Sequence, residues 1–335
     1  MDVETNDWFV SFFTKEPYKG KYMWLNIGVF ALFHTGAVLG LALMITTPAY
    51  LATWLWCSFL YVTGVVGVTA GAHRMWCHKA YKANLPYRVL VMLMDCMAYQ
   101  NDVIHWALWH RCHHKWSDTD GDPHNAARGL FFSHIGWLLI RSHPEFEARK
   151  KQVDVSDLEA DPVLRFQKKF WPVLAPLFCW ILPTLIPWCC WGESLVISFL
   201  GAGLLRWLTQ LHVTWCVNSL SHAHGMKPYD HGIYATENQF TTVFACGEGY
   251  HNYHHTYPFD YRASEHVIPF NVSSNFIDFF AWIGWVYDLR WVPQEKVEAK
   301  KVANIQKMNN NNDNKVVSEE ERVIQEKIRA FGVGY

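Results

Sequence analysis

Several signatures of common protein classes are missing from this 335-residue sequence. The formal net charge is −1 and no broad basic block is present, which argues against a nucleic-acid partner. The nine cysteines form no Cys-x-x-Cys pair, so neither a disulfide framework nor a cysteine-based zinc site is expected. The chain starts with acidic residues and its first apolar run is long, so we expect no cleavable signal peptide.

Charged side chains are also missing from residues 22–72, a stretch far longer than the ~20 residues that one membrane-spanning helix needs. A Thr-Thr-Pro sequence divides this stretch into two spans. A second pair of apolar runs follows later in the chain, divided by a short Gly-Glu-Ser turn. The predicted spans, arranged as two hairpins, are residues 22–45, 50–72, 170–191 and 195–215.

The distribution of basic residues predicts the orientation of these hairpins. Lysines precede the first span, and Arg74 and Lys79 follow the second, whereas the turn between the two spans is uncharged. By the positive-inside rule, both outer ends then lie in the cytosol. We therefore divide the chain into a cytosolic segment (1–21), a membrane and cytosolic domain (22–294) and a polar cytosolic tail (295–335). The tail is expected to be partly helical and poorly packed.

Three segments near the predicted membrane need separate treatment. Residues 86–104 carry Asp95 and Asp102, so we place them in a cytosolic or interfacial helix rather than in a span. Arg206 falls within the fourth span, where it either extends to the aqueous surface or faces the protein interior. The aromatic-rich residues 272–287 are predicted to lie along the membrane surface.

The chain contains 18 histidines, and several of them recur at helical spacing. Residues 110–114 and 251–255 both read His-x-x-His-His, which places three imidazoles on one face of a helix. His73 and His78 are five residues apart, or about 140° around an ideal helix, so they converge only if the helix ends or unwinds between them. His222 follows the fourth span. We therefore predict that the first motif lies at a helix terminus.

The predicted topology places these nine histidines on the cytosolic side of the membrane. Nine imidazoles exceed the six ligands of one octahedral metal, so two metals are the economical interpretation. Imidazole ligands with open positions suit iron and O₂ chemistry. His34 stands alone in an apolar run and is expected to be a hydrogen-bonded or surface residue rather than a ligand. The second nitrogen of each ligand needs an acceptor. The candidate acceptors are Asp95, Asp102, Asp118, Asp120, Glu237 and Glu248.

The histidine motifs resemble those of the membrane acyl-CoA desaturases, the stearoyl-CoA desaturase family. In chain order they read HxxxxH, HxxHH, NSxxH and HxxHH, and the likeness extends from about Trp24 to Trp291. It implies an all-α integral membrane fold of four transmembrane helices, capped by a cytosolic helical domain that holds two iron ions. The resemblance implies that one iron is held by His73, His78, His110, His114 and His254. It implies that the other is held by His113, His222, His251 and His255, with a water held by Asn218.

The resemblance also implies an activity. The chain would be an acyl-CoA desaturase that inserts a cis double bond, most simply at Δ9, using O₂ and electrons from cytochrome b5 and its NADH-dependent reductase. It would lie in the endoplasmic reticulum membrane with both termini cytosolic. No HPGG haem-binding motif is present, so a separate electron donor is expected. Two alternatives remain: a desaturase or hydroxylase of other regiochemistry or acyl carrier, and a non-catalytic lipid-binding relative.

Further positions are implied to bind the substrate. The tunnel and its mouth would involve Gln100, Asn101, Trp106, Trp137, Thr214 and Trp215. The closed end of the tunnel would lie near Cys57 and Tyr61, and we hypothesise that Tyr61 favours acyl chains of sixteen carbons or fewer.

One part of the sequence departs from the family pattern. Leu108 and Trp109 stand where the family usually has Arg-Asp, although a basic residue is kept downstream at Arg141. The loss of a cation should weaken or re-route the binding of a polyanionic CoA headgroup. A lipid-linked acyl chain or an unusual CoA ester is therefore an alternative carrier.

Overall fold

The structure of the protein is a computed structural model that describes residues 20–265 and 271–311. Four helices are long and apolar enough to cross a membrane: α1 (Trp24–Thr46), α2 (Leu51–Cys77), α6 (Pro162–Trp191) and α7 (Leu195–Ala223). The shorter helices are α3 (Leu85–Ala98), α4 (Val103–Lys115), α5 (Pro144–Lys150), α8 (Gln239–Phe244), α9 (His251–Thr256), α10 (Val272–Trp282) and α11 (Gln294–Asn311). Two short strands, β1 (Lys82–Ala83) and β2 (Val286–Tyr287), pair antiparallel. The structure confirms the predicted all-α class with four membrane helices.

The membrane helices turn apolar side chains outward. On α1 only Ala37, Gly40 and Met44 are buried, while Trp24 and Leu25 are 74% and 79% exposed. An uncharged helix with an exposed apolar surface is what a lipid environment stabilises, because its backbone groups are satisfied within the helix. Gly40 packs directly against the backbone of α7 at Leu200, a close approach that a larger residue would prevent.

Helix α2 brings its two histidines together by widening. It is α-helical over Leu51–Val66 and continues as a π-helix over Gly67–Cys77. The N–H of His78 donates to the carbonyl oxygen of His73 at 3.0 Å, a bond between residues five apart. The two rings consequently lie with their centroids 4.8 Å apart. The predicted position at a helix terminus is confirmed, but the convergence comes from a wider helix rather than from an unwound one.

Helix α3, which covers most of residues 86–104, is not among the helices long and apolar enough to span, as expected. Its N-terminus is capped by Asn84, whose side chain accepts from the N–H of Tyr87. Val91, Met92 and Cys96 are buried in the main hydrophobic cluster with Ala70 of the widened part of α2. This packing connects the first histidine motif to the rest of the domain.

Arg206 in α7 faces the protein interior. Its side chain is buried, with 3% of the residue exposed, and donates to the carbonyl oxygens of Met97 and Cys179. The carbonyl of Cys179 is available because Pro183, four residues later, has no N–H to donate to it. Extension to the aqueous surface, one of the two alternatives at this position, is therefore wrong. Arg206 instead joins α3, α6 and α7.

The tail prediction needs a correction over its described part. Helix α11 is packed rather than loosely attached, since Val297 is fully buried and Asn304 is 4% exposed. The side chain of Asn304 accepts from the N–H of His231 and donates to the carbonyl oxygens of Lys227 and Pro228. The segment 1–19 and the end of the tail, 312–335, lie outside the described residues.

Candidate metal centre and acyl pocket

Nine histidines from four separate parts of the chain meet at the C-terminal ends of α2 and α7. They form two groups in which one ring nitrogen of each member lies within 4.8 Å of the corresponding nitrogens of the others. The five-histidine group consists of His73, His78, His110, His114 and His254. The four-histidine group consists of His113, His222, His251 and His255. Helical spacing explains the division within α4, because His110 and His114 face one group while His113 faces the other.

The nitrogens that meet are Nε2 atoms. In the five-histidine group, the Nε2 of His254 lies 3.0 Å from that of His73 and 2.9 Å from that of His114. In the four-histidine group, the Nε2 of His251 lies 2.9 Å from that of His222 and 3.1 Å from that of His255. Imidazole–metal bonds of about 2.1 Å place neighbouring ligand nitrogens about 3 Å apart. The spacing in both groups therefore fits a shared metal ion.

Buried carboxylates hold the opposite nitrogen of three of these rings. The Nδ1 of His73 lies 2.8 Å from Glu248, that of His113 lies 2.8 Å from Asp122, and that of His222 lies 3.0 Å from Asp118. A carboxylate accepts from Nδ1–H and so leaves the Nε2 of the same ring as a lone-pair donor. Glu248 and Asp118 were among the predicted acceptors, whereas Asp122 was not.

Three rings therefore direct a lone pair into the two groups. His113 donates through Nδ1 to Asp122, so its Nε2 faces the Nε2 of His255 at 3.2 Å as an acceptor. The Nε2 atoms of His222 and His73 are acceptors for the same reason, because their Nδ1 atoms are bonded to carboxylates. Imidazole lone pairs directed at one point are the ligands that a transition metal needs. The donor set of each group therefore fits a metal ion.

The electrostatics of the site favour metal binding. Burial, followed by the proximity of other histidines, lowers the pKa of His110, His113 and His114 well below the usual value near 6.5. The pKa of Glu248 is lowered to about 2: burial alone would raise it, but Arg74 and His73 outweigh that effect. These three rings are thus neutral and Glu248 is charged at physiological pH, as metal binding requires.

The other predicted acceptors contact different partners. Asp95 accepts from the side chain of Gln167, and Asp102 caps α4 by accepting from the N–H of His105. Asp120 pairs with Arg128 at the surface, and Glu237 accepts from the N–H of Tyr253. None of these four contacts a histidine of the two groups through a described hydrogen bond. The sequence left open which of the six candidates would bond to a ligand ring, and among them Glu248 and Asp118 do so in the structure.

An aromatic pocket of about 220 Å³ adjoins the five-histidine group. Six of its lining residues are those that the family resemblance implied for the tunnel and its mouth. They are Gln100, Asn101, Trp106, Trp137, Thr214 and Trp215. Gln100 also donates to the hydroxyl of Thr214 at 2.9 Å, which joins the α3–α4 side of the pocket to α7.

A second cavity of about 50 Å³ adjoins the pocket, and His73, His110 and His251 are among its lining residues. Trp106, His110, Thr214 and Asn218 line both spaces, whereas Val65 lines only the second. Together the two spaces form a largely apolar path beside the candidate metal centre. The role of Asn218 toward a bound water stays a prediction.

Three predicted substrate residues lie outside both linings. Tyr61 is one helical turn before Val65, and its hydroxyl donates to the carbonyl oxygen of Phe244 at 2.8 Å. Cys57 is half-buried and lies one turn before Tyr61 in α2. Arg141 is exposed, and its backbone N–H donates to the carbonyl oxygen of Lys21. Their contacts with a substrate stay predictions.

Of the two residues Leu108 and Trp109, which depart from the family pattern, Trp109 is in the lining of the pocket. It stacks on His105 with ring centroids 5.2 Å apart and packs edge-on against Phe146 at 4.8 Å. Its indole N–H is buried and has no hydrogen-bond partner among the described residues. The ammonium of Lys150 lies 5.9 Å from its ring. An aromatic surface with a nearby cation therefore replaces a charged pair here.

Comparison with known proteins agrees with this geometry. A family model for fatty acid desaturase matches residues 48–269. The chain is 49% identical over 293 residues to Delta(9)-fatty-acid desaturase fat-7 of Caenorhabditis elegans, covering 87% of this chain and 85% of the relative. It is 47% identical over 279 residues to stearoyl-CoA desaturase 5 of Bos taurus, covering 83% of each. It is 48% identical over 283 residues to acyl-CoA Delta(11) desaturase of Spodoptera littoralis, covering 84% and 83%. The resemblance seen in the histidine motifs is thus confirmed, and the chain belongs to the fatty acid desaturase family.

Proposed function

We propose that this protein is an acyl-CoA desaturase that introduces a cis double bond into a saturated fatty acyl chain. One observation carries the proposal: the apolar path formed by the two cavities runs directly past both histidine groups. A methylene of a bound chain would therefore lie beside the metal centre. The relatives named as Δ9 and stearoyl-CoA desaturases support the same reaction class.

Two iron ions are the metals we assign to the nine histidines. All-imidazole coordination with positions left open suits iron, and iron bound there would supply O₂-dependent removal of two hydrogens from adjacent methylenes. The protein supplies position and electrostatics. Glu248, Asp122 and Asp118 orient the ligand rings, Asn218 would hold a water, and the aromatic lining excludes bulk solvent from the reacting methylenes.

We also propose an electron donor for the reaction and the cellular membrane in which the protein lies. Cytochrome b5, reduced through its NADH-dependent reductase, is the proposed donor, and the endoplasmic reticulum is the proposed membrane, with both termini cytosolic. The basic residues that flank α1 and α2 support this orientation. The four candidate spans, which form two hairpins, bring both histidine-bearing helix ends to the same side.

Substrate length and double-bond position depend on how the chain lies along the path. Relatives at nearly the same identity carry Δ9 and Δ11 in their names, so identity alone does not fix the position. We propose Δ9 as the simplest reading. We also propose that Tyr61, one turn beyond the lining residue Val65, limits the chain to sixteen carbons or fewer.

The proposed carrier is coenzyme A, recognised in this chain by a modified mouth. The stacked rings of Trp109 and His105 offer a flat surface for a planar group, and Lys150 offers a cation for phosphate. Burial lowers the pKa of His105, and the charges of Lys150 and Lys168 act in the same direction. The remaining basic residue, Arg141, would contact the more distant part of the headgroup.

Expression in yeast that lacks its own desaturase tests the function. The expected result is a new cis-monoenoic acid, whose chain length and double-bond position are measured by mass spectrometry of the fatty acids. A hydroxylated fatty acid as the main product would instead identify a hydroxylase. A membrane-inserted protein that binds two irons and yields neither product would contradict the proposal.

A further inference from the structure

Three histidines outside the metal centre form a continuous hydrogen-bonded relay between three elements of the fold. His34 of α1 contacts His212 of α7 through their Nε2 atoms at 3.0 Å. The Nδ1 of His212 contacts the Nε2 of His134 at 2.9 Å, and the Nδ1 of His134 contacts the hydroxyl of Ser219 at 3.0 Å. His134 belongs to the helical turn Phe132–Gly136 that precedes Trp137.

Both ends of the relay lie at main-chain carbonyl oxygens. The Nδ1 of His34 lies 2.6 Å from the carbonyl oxygen of Phe30, which only accepts, so this nitrogen carries a hydrogen. At the other end, the hydroxyl of Ser219 contacts the Nδ1 of His134 and donates to the carbonyl oxygen of Trp215 at 2.8 Å. Each of the six ring nitrogens thus has one hydrogen-bond partner among the described residues.

This arrangement rules out two other roles for the three rings. A metal would need several lone pairs directed at one point, but each ring nitrogen here is already paired with a neighbour along the relay. A proton pathway would need an outlet at both ends, but the relay ends at a main-chain carbonyl oxygen inside α1. What the relay can do is fix the positions of the elements it joins.

Those elements form one side of the acyl pocket. Phe30 of α1 lines the pocket and packs edge-on against Trp215 of α7, with ring centroids 5.7 Å apart. Trp215 also lies 5.0 Å from the ring of His212 and 5.7 Å from that of His134. The carbonyl oxygen of His134 accepts from the indole N–H of Trp137 at 3.2 Å. Phe30, Trp215 and Trp137, three aromatic lining residues, thus depend on the relay for their placement.

The opposite side of the pocket is attached to α7 by different bonds. Gln100 bonds Thr214, and the indole of Trp207 donates to the carbonyl oxygen of Ala98 at 2.9 Å. Breaking the relay would therefore move one side of the pocket relative to the other and relative to the histidine groups. The reacting methylene is selected by distance, and a displacement of about 1 Å costs up to 100-fold in rate.

We propose that the His34–His212–His134 relay is a positioning device that sets which methylenes of the acyl chain face the metal centre. The three histidines are positioning residues rather than catalytic ones. The inference rests on the proposed desaturase function and deepens it, because it assigns the choice of double-bond position to residues that touch neither metal nor substrate.

Substitution of the central ring tests the proposal. His212→Leu leaves both neighbouring rings without a partner, whereas His212→Gln keeps one donor and one acceptor near the original Nε2. Thr209→Val is the matched control, because Thr209 is an exposed residue of the same helix whose hydroxyl bonds only its own helix at Leu205. Each full-length variant is expressed in desaturase-deficient yeast and also purified.

The expected result for His212→Leu is a rise of about tenfold in the ratio of minor to major double-bond isomers. Its affinity for palmitoyl-CoA, measured by quenching of indole fluorescence, should fall about fivefold. His212→Gln and Thr209→Val should stay close to wild type in both measurements, and all variants should bind two irons.

An unchanged isomer ratio in His212→Leu, with activity reduced only in proportion to folded protein, would overturn the proposal. Equal changes in Thr209→Val would also overturn it. Absence of any unsaturated product from the wild type would instead overturn the proposed function. In that case the fluorescence measurement still decides whether the relay shapes the pocket, since an unchanged affinity in His212→Leu would contradict it.

Discussion

The protein has two clusters of histidines, the candidate metal centre and the relay, and the ring nitrogens of the two clusters have different partners. At the candidate metal centre, the Nδ1–H of three rings donates to a carboxylate, and the Nε2 of each of these rings keeps its lone pair. In the relay, both nitrogens of each ring are occupied by neighbours. The comparison teaches that the partner of the second nitrogen, rather than the number of histidines, separates a ligand from a structural ring.

The largest effect that would sharpen this comparison comes from removing a ligand. His113→Ala leaves three imidazoles in the four-histidine group, so we expect no detectable unsaturated fatty acid in desaturase-deficient yeast. Metal affinity of that group should fall by more than about 100-fold, beyond the loss expected for an outer partner. The matched variant His134→Ala should keep two irons per chain, as measured on the purified protein. Loss of iron in both variants would break the distinction.

Removing the charge behind a ligand should have the next largest effect. Glu248→Gln takes away the carboxylate that holds His73 and pairs with Arg74, whose side chain is only 1% exposed. We expect a loss of stability of about 3 kcal/mol or more, because a buried cation is left unpaired. Iron affinity should fall about 10- to 100-fold. Thermal unfolding and iron titration measure the two effects, with the surface variant Asp120→Asn as control; an unaffected Glu248→Gln would be contrary to this account.

The response to pH tests the same environment without mutation. Burial and neighbouring rings lower the pKa of His110, His114 and His254 well below 6.5. Protons therefore compete with metal only at a pH well below 6.5, and iron affinity should not change between pH 7.5 and 6.5. Stability should decline as the pH falls through 6.5, since histidines of the unfolded chain take up protons that the folded ones do not. Iron content and unfolding temperature at stepwise pH measure both; half of the iron lost by pH 6.5 would contradict the prediction.

A smaller change is expected at the end of the acyl path. Tyr61→Ala should shift the products toward longer chains, because the side chain one turn beyond Val65 no longer limits the path. Thr63→Val is the control, since its hydroxyl bonds only within α2 at Phe59. Fatty acid profiles from yeast supplied with sixteen- and eighteen-carbon substrates give the ratio, and an unchanged ratio would remove Tyr61 from the proposal.

The smallest effect is expected at the pocket mouth. Lys150 is partly exposed and also pairs with Glu147 at 2.7 Å, so its attraction to a phosphate is screened. Lys150→Glu should raise the KM for palmitoyl-CoA about threefold to tenfold with little change in kcat. The effect should shrink at high salt. A KM that does not respond would indicate an acyl carrier other than coenzyme A.

The meeting of the nine histidines could be predicted from sequence because the spacing within each motif is local and the hydropathy pattern predicts all motifs on one side of the membrane. Their division into two groups was implied by the family resemblance. Which of the candidate acceptors bond to ligand rings could not be predicted, since Asp118 meets His222 across 104 residues and Glu248 meets Arg74 across 174. Such pairs depend on how helices pack, which nearby sequence does not encode. Asp122 was missed although it lies only nine residues from His113.

The relay was missed for a related reason. His34 was expected to be a hydrogen-bonded or surface residue rather than a ligand, and nothing in the sequence near His134 or His212 marks them as its partners. Their contact needs α1 and α7 to lie side by side, with the turn before Trp137 against both. A histidine within a predicted membrane helix is the useful signal in the sequence, because its polar ring nitrogens must find hydrogen-bond partners there.

The widened end of α2 has a consequence for interpreting other sequences. Two residues four apart share a face of an α-helix, and two residues five apart share a face of a π-helix. Two chelating residues at i and i+5 can therefore indicate a π-helical turn, which holds one more residue than an α-helical turn. The indication applies where the pair stands at the end of a long uncharged run. Deleting a single residue between His73 and His78 should restore ordinary helical winding there while keeping both rings on a common face.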